Sequence, residues 1–220
     1  MRLAVFSDIH AHGDALDAVL RAAVAARVDA LWCLGDMIGT GPDAVHVVER
    51  VRSFCALALM GNHDYDVAAR EGLSSEALEW MRRRRPAARR EGVQCWHGSP
   101  RHPVREYVTA ANAPACLAVQ REPLGLVGHT HAPAAFLEGA RKPVPVVIDE
   151  PLSFAAGKWL LNPGAVGAPL PPRGDWWDSL DADPTARWLE LDLDQRTATW
   201  REAPFDPAPC RARSRLRDAG

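Results

Sequence analysis

Between residues 2 and 131 the chain repeats one device: a short apolar run that stops on polar residues. It appears in RLAVFSD (2–8), ALWCLGD (30–36), CALALMGNHD (55–64), GVQCWHGS (92–99) and PLGLVGHTH (123–131). Runs of this length bounded by Gly and Asp read as buried strands. The first three alternate with stretches of helical period. In GDALDAVLRAAVAAR, Leu16, Val19, Leu20, Ala23 and Val24 share one helical face. PDAVHVVERVRSF places Pro42 at a first helical position, and SSEALEWMRRRR starts on a capping Ser and stops before Pro86. Beyond residue 134 the pattern turns to strands alone: AAFLEG, PVPVVID, KWLLNPG, ARWLELDLD and TATWREA. Strands alternating with helices and followed by consecutive strands predict layered α/β architecture with an antiparallel addition.

Residues 168–184, rich in Pro, Gly and Asp, read as a long surface loop, and residues 204–220, without apolar periodicity, as a flexible tail. With 220 residues, 47% hydrophobic and 25% charged, the remainder fits one domain over residues 1–203. A net charge of -2 provides no global basic field, so no dedicated nucleic-acid surface is expected. No apolar run reaches the length of a membrane span, and the opening MRLAVFSD has no leader pattern, so a cytoplasmic protein is expected. The five cysteines lack C-x-x-C spacing, and Cys33, Cys55 and Cys95 sit within apolar runs, as reduced core thiols do. All basic residues but Lys142 and Lys158 are arginine, a bias of base composition and not of chemistry.

The chemistry collects where the five apolar runs end: Asp8-Ile9-His10, Gly35-Asp36, Gly61-Asn62-His63-Asp64, His97-Gly98 and Gly128-His129-Thr130-His131. In open α/β sheets ligands bind at the carboxyl ends of strands, and five of the eight histidines lie there. In extended backbone, residues i and i+2 share a face, so His129 with His131, and Asp8 with His10, are each expected to point at one place. Carboxylates, imidazoles and one amide without a thiolate suit Mn²⁺, Fe²⁺, Zn²⁺ or Ni²⁺. Asp8, His10, Asp36, Asn62, His97, His129 and His131 offer seven side chains, too many for one ion and enough for two that share a carboxylate.

In their order, SDIH, GDMIG, MGNHD, WHGSP and VGHTH resemble the motifs of calcineurin-like metallophosphoesterases, in particular the small bacterial phosphodiesterases. The resemblance runs on through HGSPR and NPGAVG to cover most of residues 1–200. It implies a four-layer αββα sandwich of two mixed sheets with a binuclear centre between them. Carried over by residue, Asp8, His10 and His131 bind one ion, Asn62, His97 and His129 the other, and Asp36 bridges. His63 is left to face the leaving group or a phosphoryl oxygen, and Asp64 to orient its ring. The implied reaction is hydrolysis of a phosphoester by a hydroxide bridging two ions that lower the pKa of water from about 15.7 toward roughly 7.

Protein phosphatases of the same fold carry arginines near these motifs, where this chain has Ile38, Gly39, Thr40 and Met60. Their absence points to a monoanionic diester, nucleotide-type or other, ahead of a monoester or a dinucleotide polyphosphate. The intact motifs set the chain apart from scaffolds of this fold that have lost their metal residues. A small phosphoester is thus the expected partner, and a homo-oligomer stays open. His12, His102, Trp176 and Trp177 are further candidates for substrate contact, the two tryptophans as a lid on the 168–184 loop. The arginine run 82–85 with Arg89 and Arg90 reads as a solvated face. His46 reads as structural, and Trp32, Trp80, Trp96, Trp159, Trp188 and Trp200 as packing. Asn162-Pro163-Gly164 resembles the family's turn, with Ala165 where relatives carry Ser.

Overall fold

A computed structural model describes residues 1–67, 72–167 and 184–218. The five apolar runs that end in polar residues all become strands: β1 (Arg2–Phe6), β2 (Ala30–Cys33), β3 (Cys55–Ala58), β5 (Val93–Trp96) and β6 (Leu124–Val127). Between the first three lie α1 (Gly13–Ala25) and α2 (Ala44–Phe54). After β3 come α3 (Asn62–Val67), α4 (Ser75–Arg82) and β4 (Ala87–Arg90), and α5 (Ala113–Val119) joins β5 to β6. The strand-rich part supplies β7 (Pro133–Leu137), β8 (Pro151–Ser153), β9 (Trp159–Pro163), β10 (Thr185–Asp192) and β11 (Thr197–Pro204), and the last helix is α6 (Ala208–Asp218).

The strands form two mixed sheets, one ordered β3-β2-β1-β10-β11-β8 and the other β4-β5-β6-β9-β7. Strands β1, β2 and β3 run parallel, as do β5, β6 and β9, so both sheets send carboxyl ends carrying functional residues toward the site. Alternation along β1 explains the layers. Leu3 and Val5 point into the cluster between the sheets with Trp32, Leu126, Leu161 and Trp200, while Ala4 and Phe6 meet the α1–α2 layer. On the far side Leu117 and Cys116 of α5 cover Val127 and Leu160. Helices outside and sheets within give the expected αββα sandwich.

Local chemistry fixes several boundaries. Ser74 caps α4 by accepting from the Ala77 amide at 3.1 Å. The α2 helix starts after Asp43, which leaves Pro42 outside it. The inward face of α1 is Ala15, Leu16, Ala18, Val19 and Ala23, and Val24 turns to solvent. Strand β3 is shorter than its apolar run, since the chain turns at Gly61 and becomes α3. PVPVVID makes only an isolated bridge from Val144 to Ala135, because prolines at 143 and 145 remove the donors a ladder needs.

The expected flexible tail at 204–220 is corrected: α6 packs back on the fold. It lacks an apolar stripe but has Cys210 and Ser214 buried one turn apart, with Arg213 reaching Asp43 (Nε–Oδ1, 2.6 Å) and Asp14 (2.6 Å). Those carboxylates stand at the starts of α1 and α2, so charge fastens what periodicity did not announce. The arginine run is engaged locally: Arg83 bridges Glu79, Arg84 lies over Trp80, Arg89 meets Glu122 and Arg90 donates to the Ala56 carbonyl. Among the described residues no helix is long and apolar enough to cross a membrane.

Candidate metal centre

The proposed ligands stand one to four residues beyond the ends of their strands, where the backbone changes hand. Asp8 (φ +57°), His10 (+51°), Asp36 (+51°), His129 (+62°) and His131 (+62°) are all left-handed. A residue with a side chain pays roughly 1–3 kcal/mol for such a conformation, and it persists where surrounding bonds impose it. Here they do: the amides of Asp8, Ile9 and His10 donate to the carbonyls of Gly35 and Asp36, and the amides of Val166 and Gly167 donate to the Ser7 and Asp8 carbonyls. This corrects the expectation that extended backbone aims His129 and His131 at one place. The turn at each residue sends their rings apart into different clusters.

One cluster is Asp8, His10 and His131. His10 Nε2 and His131 Nε2 face each other at 3.1 Å, and His131 Nε2 lies 3.5 Å from Asp8 Oδ1. A second cluster is Asp36, His97 and His129, with Asn62 Oδ1 3.1 Å from His97 Nε2. Asp36 lies between them: its Oδ2 is 3.5 Å from His97 Nε2 and 3.8 Å from His10 Nε2. The seven residues expected to bind metal are thereby brought together, and all but half-buried His131 are buried.

Backbone carbonyls set two of the rings. His97 Nδ1–H donates to the Leu34 carbonyl at 3.0 Å, which aims its Nε2 at the oxygens of Asn62 and Asp36. His129 Nε2–H donates to the Arg105 carbonyl at 3.2 Å and frees Nδ1 for its cluster. Lone pairs converging on one point repel unless a cation or a proton lies among them. Asp36 Oδ2 is buried without a hydrogen-bond partner among the described residues, an arrangement that costs free energy unless a positive charge meets it. The residues fit a divalent ion in each cluster.

The protein's own charges show the same polarity. Burial alone would raise Asp36, but the rings of His97 and His10 hold it below the usual carboxylate range. Burial works against a charge on His97, and Asp36 outweighs it, so His97 sits at about 9. His10, fully enclosed, is pushed well down by burial. Glycine permits the tight convergence: a Cβ on Gly61 would collide with the Asp36 carboxylate.

His63 is half-buried beside His10, the two rings edge to face with centroids 4.7 Å apart. Its amide donates to Asp36 Oδ1 at 2.9 Å, which fixes the start of α3 against the shared carboxylate. His10, Asp36 and His63 also offer atoms close enough to grip an ion. Asp64 departs from the expectation that it orients His63. Its Oδ1 accepts from the Ile38 amide at 3.1 Å and its Oδ2 from the Gly61 amide at 2.8 Å, so the carboxylate ties two site loops together. Burial followed by the charge of Asp36 raises its pKa to about 7. A raised carboxylate makes the metal-free fold lose stability as pH climbs from the ordinary range through about 7. Asp64→Ala is expected to strand two buried N–H donors at roughly 1–3 kcal/mol each, or about 2–6 kcal/mol in all, read as a fall in the urea midpoint. An unchanged midpoint would remove this tie.

The other candidates fare differently. His12 is buried as the residue preceding α1, with Nε2 3.4 Å from Thr40 Oγ1 and Nδ1 3.4 Å from Cys210 Sγ. This corrects its assignment to substrate contact: α6 covers it. His102 is exposed in a turn where its amide donates to Ser99 Oγ, and no contact among the described residues joins its ring to the clusters. Trp176 and Trp177 lie outside the described residues. His46 pairs with Asp17 at 3.0 Å on the surface. Asn162 closes its turn from both ends, donating to the Gly128 carbonyl and accepting from the Gly164 amide, each at 2.8 Å. Sequence reasoning missed Arg105 and Tyr107. Arg105 grips Asp66 of α3 at 2.7 and 3.0 Å, and the Tyr107 ring lies on that of His129. The signal was available as an aromatic residue in the polar loop that follows His97.

Comparison with known proteins bears on the family and the fold. The model of the calcineurin-like phosphoesterase superfamily domain matches residues 1–176. A metallophosphoesterase from Sphaerobacter thermophilus has a similar solved structure, with a TM-score of 0.86, 32% identity, and coverage of 99% of this chain and 95% of that one. A hypothetical protein from Pyrococcus horikoshii shares the fold at a TM-score of 0.74 and 15% identity, covering 99% and 93%. An uncharacterized protein from Methanocaldococcus jannaschii is 29% identical over 193 residues, covering 76% of each chain.

Proposed function

The chain belongs to the calcineurin-like phosphoesterase superfamily, and from that premise we propose that it is a metal-dependent phosphodiesterase acting on small, nucleotide-type diesters at a binuclear centre. The observation that carries this reading is the Asp36 carboxylate, whose buried Oδ2 has no hydrogen-bond partner among the described residues and lies within 4 Å of a ring from each cluster. Asp8, His10 and His131 would hold one ion, Asn62, His97 and His129 the other, and Asp36 both. Mn²⁺, Fe²⁺, Zn²⁺ and Ni²⁺ all suit these donors. When bound, two such ions supply Lewis-acid charge to the phosphoryl oxygens and lower the pKa of water.

The chain's own residues do the rest. The imidazoles and carboxylates fix the positions against which a phosphoryl group is oriented. His63, half-buried between buried Asn62 and Asp64, can donate a proton to the departing oxygen. The diester reading is supported by what stands near the loops: Ile38 and Met60 are core residues, and Arg105 is already paired with Asp66. No free guanidinium is thereby offered to a second phosphate charge by these positions. Five free cysteines support a reducing, cytoplasmic setting.

The test is a set of purified samples, each loaded with one of the four metals and assayed on phosphomonoesters, linear diesters, cyclic nucleotides and dinucleotide polyphosphates. The reading expects the highest kcat/KM on a diester. A preference for monoesters or for polyphosphates with every metal would replace it.

A further inference from the structure

Tyr107 lies on the loop between β5 and α5, with its ring parallel to that of His129, planes 6° apart and centroids 3.9 Å apart. His129 is only 6% exposed while Tyr107 is 56% exposed, so one face of the phenol covers a proposed ligand and the other meets solvent. An aromatic face left open at the rim of a polar site is a ready stacking surface.

The loop holds this ring in place. Asn112 Nδ2 donates to the Tyr107 carbonyl at 2.8 Å, and its Oδ1 accepts from the Thr109 amide at 2.7 Å. On the other side Ser99 Oγ donates to the Glu106 carboxylate, and Arg105 is clamped by both oxygens of Asp66. The segment is thus tied to α3, which carries His63, and to the start of α5. A ring fixed in this way needs little further ordering when a ligand arrives.

We infer that Tyr107 is a specificity-determining residue: a platform that stacks a nucleobase of the ester while the phosphoryl group lies at the clusters. A base on the open face would stand two stacking steps from the His129 ring, within reach of a ribose joining base to phosphate. The inference rests on the phosphodiesterase reading for the kind of ester and adds the group that the ester carries.

The experiment compares probes that differ only in the base-bearing part. Adenosine 5′-phosphate and ethyl phosphate are titrated by calorimetry into metal-loaded protein, and the methyl diesters of both are assayed for hydrolysis. The wild type is expected to favour the adenosine member in both measurements. Tyr107→Phe should keep that ratio, and Tyr107→Leu should lower it roughly 5- to 150-fold, the range for one stacked base, with metal content retained. No preference in the wild type, or a Leu variant that weakens both probes equally, would overturn the platform. Selective binding of adenosine 5′-phosphate without hydrolysis of either diester would sink the phosphodiesterase reading and leave the platform standing.

Discussion

Asp36→Asn is expected to lose both metal equivalents together and to lower kcat/KM on a phosphodiester by roughly 10³-fold or more. The size follows from the several kcal/mol that metal ions supply to a phosphoryl transition state, at about 1.4 kcal/mol for each tenfold in rate. Joint loss follows from position, because one carboxylate lies within 4 Å of His10 on one side and His97 on the other. The fold should survive, since Asn keeps an oxygen where Asp36 Oδ1 accepts from the His63 amide. Elemental analysis beside a thermal melt reads both parts. A variant with normal melting that retains two ions and full activity would remove the bridging role.

His63→Ala should act on proton transfer and leave the ions in place. If His63 protonates the leaving oxygen, the variant loses roughly 10²- to 10⁴-fold on diesters with an alkoxide leaving group, the range for general acid catalysis. Nitrophenolate departs without much protonation, so nitrophenyl diesters should lose far less. Its half-buried ring beside His10 fits this role, yet the nearness of His10, Asp36 and His63 also allows it to bind metal. The two roles separate cleanly. Equal losses on both substrates with metal intact would assign His63 to a phosphoryl oxygen, and loss of metal would make it a ligand.

The order of strands and the gathering of ligands were legible because both rest on local signals. An apolar run that ends in Asp or His announces a strand end, and strand ends on one edge meet. What was not legible depends on contacts distant in sequence. Nothing near His129 reveals a left-handed turn imposed by neighbours, so the spacing alone aims the H-x-H pair at one place, whereas the resemblance divides it, and the two rings fall in different clusters. Asp64 looked like a partner for its neighbour His63, but its acceptors were claimed by amides of Ile38 and Gly61. His12 looked like a site residue until α6, fastened by Arg213 to Asp14 and Asp43, closed over it. The same helix was hidden because its attachment is ionic. Strand β4 and helix α5 are short and give little period to read, and the place of Tyr107 at the site rests on its parallel stacking against His129, a contact between residues distant in sequence.

Stoichiometry of bound metal is the most direct test of the central claim, that Asp36 joins two ion sites. Protein stripped with a chelator and titrated with Mn²⁺ should take up two equivalents per chain, with phosphodiester hydrolysis reaching its maximum only as the second is bound. Saturation at one equivalent with full activity, or full activity in the stripped protein, would contradict the account.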